Sequence, residues 1–93
     1  MTVREVRIRN PLGLHARAAA RFVHTASRFR SRVTVSRNGK AMDGKSILGI
    51  LLLAASQGAV LRVVAEGEDE AAAVDALATL VESGFGEEGE FGA

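Results

Sequence analysis

The 93-residue chain has no cysteine, tryptophan or tyrosine, a single proline and four phenylalanines. Without cysteine, disulfides and thiolate metal sites are excluded, which fits a reducing compartment. Sheet-based RNA readers need aromatic platforms. Here Phe22, Phe29, Phe85 and Phe91 all fall on expected helices or in the tail, which argues against an RNA-binding α+β domain despite nine arginines in the first 37 residues. Long apolar runs are also missing. The longest, "ILGILLLAA" at 47–55, is far short of a membrane span, and "MTVREVRIRN" contains no apolar signal-peptide segment. The expected protein is cytoplasmic and contacts neither membrane nor nucleic acid.

What is present is a 47% apolar composition with no long polar tract, enough for one modest core. A single domain is expected over residues 1–88, with a frayed acidic tail at 89–93. The net charge of +1 hides a polarity along the chain. Residues 1–62 carry all twelve Lys and Arg against only Glu5 and Asp43, and residues 63–93 carry the other nine acids and no base. Two solvated faces that attract each other and a basic surface for an acidic partner both fit this pattern.

Residues 2–9, "TVREVRIR", alternate with Val6 and Ile8 on one side and predict a strand. "NPLG" is a turn. From Ala16 to about Phe29, Ala19, Phe22, Val23, Ala26 and Phe29 form a helical stripe. "RVTVSR" at 32–37 alternates again, Asn38-Gly39 is a hairpin signal, and "KAMD" at 40–43 is the returning strand. Ser46 is an N-cap candidate for a helix through "ILGILLLAAS", with Gln57-Gly58 as its stop. "AVLRVVAEG" at 59–67 has the near-continuous apolar character of a central strand. Asp69 is placed to cap a last helix with Val74, Leu77, Ala78 and Val81 as its stripe, and Gly84 to end it in a left-handed conformation with Phe85 folding back. There is no internal repeat. The order β-α-β-β-α-β-α, with one apolar face per element, predicts an α+β two-layer open-faced sandwich: a four-stranded antiparallel sheet with three helices on one face.

In "NPLGLHARAAARF", His15 falls at or just before the start of the first helix. The first amides of a helix lack internal partners and carry the positive end of its dipole. A phosphoryl group is well placed there, against the Ala16 and Arg17 amides. A neutral imidazole offers an unprotonated ring nitrogen as the nucleophile. Arg17 supplies a fixed charge with donors matched to phosphate oxygens. The residues by themselves also allow a histidine that only caps or packs. A metal site is not expected, because His24, nine residues on, projects from the opposite side of the helix and no acid lies near either histidine.

"NPLGLHARAAA" resembles the active-site segment of the HPr family, the histidine phosphocarriers of the bacterial phosphoenolpyruvate-dependent phosphotransferase system. "GKSILGILLLAASQG" resembles the family's second segment and "AEGEDEAAAVDAL" the start of its last helix, so the likeness spans essentially residues 2–88. The resemblance implies that the protein is a carrier and not an enzyme. On that reading His15 accepts a phosphoryl group on Nδ1 from enzyme I and passes it to enzyme IIA domains, and Arg17 stabilises it. No cofactor is implied, and the carrier is expected to act as a monomer. The family usually has proline where this chain has Ala18. Alanine keeps the first helical turn, with slightly more fraying and no lost chemistry expected.

Ser46 is sufficiently explained as a cap. The resemblance adds a second role, since it aligns with the serine that an HPr kinase/phosphorylase modifies in many bacteria. Ile47, Leu48 and Leu51, with Ala20, would face partners in the family, although helical spacing alone also allows them to be core. Arg17 and Arg21, with Arg28, would form a charged rim. His24, Ser27 and Gly49 stand where the family often has lysine, which bears on the choice of partner. The alternative is a nitrogen-branch regulatory phosphocarrier acting by protein–protein binding, which "SGFGEE" is similar to. A purely regulatory relative would be expected to lack the histidine.

Overall fold

The computed structural model describes residues 1–86. It runs β1 (Thr2–Arg7), α1 (Ala16–Ser27), β2 (Arg32–Arg37), β3 (Lys40–Asp43), α2 (Ile47–Leu52), β4 (Val60–Glu66) and α3 (Glu70–Glu82), then a 3₁₀ turn at Gly84–Gly86. The strands form one antiparallel sheet in the order β1-β4-β2-β3. The expected boundary at 88 and the 89–93 tail lie outside the described residues.

Alternation in the strands decides which side is covered. Leu61, Val63 and Ala65 of β4 are buried and pair across the ladders with Val6, Arg4 and Thr2 of β1 and, for Val63 and Ala65, with Val35 and Val33 of β2. Directly opposed residues share a face, so Thr2, Arg4 and Val6 look toward the helices. The first two meet acids of α3. Arg4 pairs with Asp75 at 2.7 Å, and Glu70 accepts from the Thr2 hydroxyl at 2.6 Å and the N-terminal amine at 2.8 Å. The basic and acidic halves of the chain therefore do meet here, at a solvated seam where water screens each pair.

The helices close the core with the expected stripes. Ala19, Phe22 and Ala26 of α1 and Val74, Leu77, Ala78 and Val81 of α3 are buried, with Ile50 of α2. Asn38 and Gly39 both take positive φ, at 51° and 82°, the conformation a two-residue hairpin needs. Gly84 is left-handed and Phe85 turns back into the core.

Four expectations are corrected. β1 stops at Arg7, although Ile8 stays buried, and α1 stops at Ser27. α2 has only six residues instead of running to the Gln57-Gly58 stop. The Leu53 and Ala54 amides bond back three residues, to the Ile50 and Leu51 carbonyls, which tightens the last turn, and Ala54 then enters the left-handed region at φ 50°. Asp69 occupies the N-cap position of α3 but makes no capping bond. Its carboxylate instead accepts from the Arg30 amide (2.8 Å), the Ser31 amide (2.9 Å) and the Ser31 hydroxyl, tying the α1–β2 loop to the start of α3.

Candidate functional site

The turn before α1 is fixed by its own polar groups and by the chain beyond α2. Asn10 is buried and donates through Nδ2 to the Gly13 carbonyl at 2.8 Å, which also accepts from the His15 amide at 3.0 Å. Gly13 has φ 67°, and a Cβ there would lie 2.6 Å from the Ala55 carbonyl oxygen, so glycine is required both for conformation and for close approach. The same Ala55 oxygen accepts from the Leu14 amide at 2.9 Å. This two-point seat delivers the chain to His15 in an extended conformation, φ −79° and ψ 178°, from which α1 begins.

His15 is the N-cap of α1. Its Nδ1 accepts from the Arg17 amide at 3.2 Å, and its carbonyl accepts from the Ala19 amide at 2.9 Å. An accepting Nδ1 keeps its lone pair there and assigns the proton to Nε2. The imidazole is half-buried, whereas Ala16 and Arg17 are exposed beside it. Nδ1 is thus a nucleophile aimed at the amide end of a twelve-residue helix, with a guanidinium two residues away. Ala18 is fully buried and the turn that contains it is formed. Among the described residues no group of three His, Cys, Asp or Glu side chains could hold a metal ion.

Around the histidine lie two kinds of surface. Arg17, Ala20, Arg21 and His24 repeat at helical spacing along α1 and, with Thr25 and with Leu80 of α3, line a shallow hollow. Arg21 donates to the Phe85 carbonyl, which ties α1 to the turn after α3. His24 lies in this hollow beside Arg17 and is exposed, and Arg28 is the exposed C-cap of α1. On α2, Ile47 and Leu48 are exposed, at 45% and 67%, and so is Leu52 at 52%. Leu51 is half-buried and packs against the core. A six-residue helix with one buried face leaves its other leucines in water.

Ser46 caps α2, its Oγ accepting from the Gly49 amide at 3.0 Å. Beside it Lys45 donates through Nζ to the Phe29 carbonyl at 2.7 Å. Reading the chain in one dimension missed Ala55, Asn10's bond to Gly13, and Arg37, which donates to the Leu53 carbonyl at 3.0 Å and the Ala54 carbonyl at 3.3 Å. Asn10 had a signal, as a turn former three residues before a glycine. Arg37, read as a flank of the hairpin, had none.

The acids at the start of α3 are electrostatically distinct from this region. The Ser31 hydroxyl, with the Arg30 and Ser31 amides, holds the Asp69 carboxyl down at about 2. The N-terminal amine, then the Thr2 hydroxyl and the Gly67 amide, hold Glu70 at about 2. Both are structural ties and neither contacts the histidine turn.

A model of the family described as "PTS HPr component phosphorylation site" matches residues 2–83. The chain is 50% identical over 88 residues to the phosphocarrier protein HPr of Xylella fastidiosa strain Temecula1, covering 95% of this chain and 99% of the relative. It is 47% identical over 91 residues to the phosphocarrier protein HPr of Pseudomonas aeruginosa, covering 97% and 100%. In structure it is similar to HPr-C-His from Thermoanaerobacter tengcongensis, with a TM-score of 0.89 at 49% identity, covering 92% of this chain and 97% of the other.

Proposed function

Because the chain belongs to the HPr family of phosphocarriers of the phosphotransferase system, a carrier and not an enzyme, we propose that His15 is its phosphoryl acceptor and Arg17 the stabilising cation. The observation that carries this is Nδ1 of His15 in hydrogen-bond contact with the Arg17 amide at the first turn of α1. The Nδ1 lone pair attacks phosphorus as the bond between phosphorus and the donor breaks, its electron pair leaving with the donor, and the proton stays on Nε2. The phosphoryl oxygens then replace the lone pair as acceptor for the Arg17 amide and take the Ala16 amide as well, and the Arg17 guanidinium adds charge-assisted bonds. The P–N bond is weak, which suits onward transfer.

The donor in this reading is enzyme I and the acceptors are enzyme IIA domains. They meet a monomer on Ala20, Arg21, Ile47, Leu48 and Leu51, an apolar patch within an arginine rim that speeds encounter. Ser46 serves as cap in any case. A kinase-added phosphate at that position would put negative charge on the same face, weakening contact with an acidic partner. The protein works in the cytoplasm, in sugar uptake or its regulation; no described helix is long and apolar enough to cross a membrane.

Incubation with enzyme I and labelled phosphoenolpyruvate should yield an acid-labile, base-stable phosphoryl group, absent from His15→Ala. Equal labelling of His15→Ala would refute the assignment. Running the parent with enzyme I of the sugar and the nitrogen branches reads which donor it prefers.

A further inference from the structure

The seat of the histidine turn is itself held in an unfavourable conformation. Ala54 has φ 50°, a left-handed region that strains alanine and that glycine enters freely. The next residue, Ala55, supplies the carbonyl that accepts from Leu14 and abuts Gly13. The group placed to hold Ala54 there is the Arg37 guanidinium at the end of β2, which takes the Leu53 and Ala54 carbonyls together. These acceptors lie at the C-terminus of α2, where a cation is favoured.

We propose that Arg37 is a positioning residue for His15. It locks the left-handed Ala54 and so fixes the Ala55 carbonyl, on which the Leu14 amide and the following N-cap are seated. This rests on His15 being the phosphoryl acceptor. The chain of contacts is short and rigid: guanidinium to the 53 and 54 carbonyls, peptide 54–55, the Ala55 oxygen to the Leu14 amide, then His15. Without the guanidinium, Ala54 relaxes toward the right-handed region, the peptide after it rotates, and the Ala55 oxygen leaves the Leu14 amide. The Nδ1 to Arg17 amide geometry then loosens.

The test compares the parent with Arg37→Met, which keeps the aliphatic stem, and with Arg37→Met combined with Ala54→Gly. Transfer from enzyme I and the NMR shifts of the Arg17 amide and the His15 ring protons are measured well below each unfolding midpoint. Arg37→Met should lower the transfer rate about tenfold, in turnover more than in the KM for the carrier, and move the Arg17 amide resonance. Glycine at 54 keeps the left-handed bend without the clamp, so the double variant should return both readings to within about twofold of the parent. If Arg37→Met fails to fold, Arg37→Gln, which keeps a donor to one carbonyl, is expected to show a smaller loss, also restored by Ala54→Gly. Unchanged transfer and an unmoved Arg17 amide in the folded variant would overturn the proposal, as would a loss that Ala54→Gly does not restore. A parent that accepts no phosphate removes the His15 assignment instead, and the amide resonance still reports whether Arg37 positions the turn.

Discussion

Replacing Gly13 by alanine tests the two-point seat directly. Two separate costs arise. The first is conformational: φ 67° disfavours a Cβ by about 1 kcal/mol. The second is steric. The new Cβ would sit 2.6 Å from the Ala55 oxygen and 3.0 Å from the Ser56 Cα, both backbone atoms that cannot rotate away. Opening that contact to ordinary van der Waals distance takes about 0.8 Å. The same shift stretches the 2.9 Å Leu14–Ala55 bond to about 3.7 Å, beyond useful geometry. Leaving those groups poorly paired costs about 1–2 kcal/mol more, so the sum is about 2–3 kcal/mol. Gly39→Ala separates the two terms, because Gly39 has φ 82° but nothing within 4 Å of an added Cβ. It should cost about 1 kcal/mol alone. Urea unfolding of both variants gives the difference, and phosphoryl transfer by folded Gly13→Ala should fall by about tenfold or more. Equal destabilisation of the two variants would refute the claim that Ala55 seats the histidine turn.

Ser46→Ala removes the acceptor of the Gly49 amide and should cost about 1 kcal/mol in urea unfolding while His15 labelling persists. Acid should act on the start of α3. The folded Asp69 and Glu70 carboxyls titrate at about 2, below their unfolded values, so their stabilisation is complete above about pH 5 and is lost as the pH falls toward 2. In Asp69→Asn the melting midpoint should start lower and fall less over that range; curves that remain parallel would show that the Ser31 contact does not set the carboxyl's titration.

Periodicity and turn chemistry are local properties, and they were legible. Val6 with Ile8, Val33 with Val35, and Val74 with Leu77, Ala78 and Val81 each report one buried face, and Asn38-Gly39 reports positive φ whatever surrounds it. His15 and Ser46 were readable for the same reason, since N-cap chemistry involves only amides two or three residues downstream. The length of α2 was not readable. "ILGILLLAAS" carries no helix stop after Gly49, yet the helix ends at Leu52, and Ala55 goes instead under Leu14 and against Gly13. Asp69 has the right type for a cap, yet its carboxylate goes to Ser31, which lies 38 positions away in sequence and within hydrogen-bond reach in space. The exposure of Leu52 and the packing of Leu51 likewise depend on which side of a six-residue helix meets the core.

The sequence by itself determined the element order, the hairpin, the two capped helix starts and the residue chemistry around His15, because each depends on neighbours within a few residues. Only the tertiary structure decided how that site is held. The Ala55 seat, the left-handed Ala54 and the reach of Arg37 join segments whose separation along the chain carries no local signal, and their geometry exists only once the sheet and helices have packed.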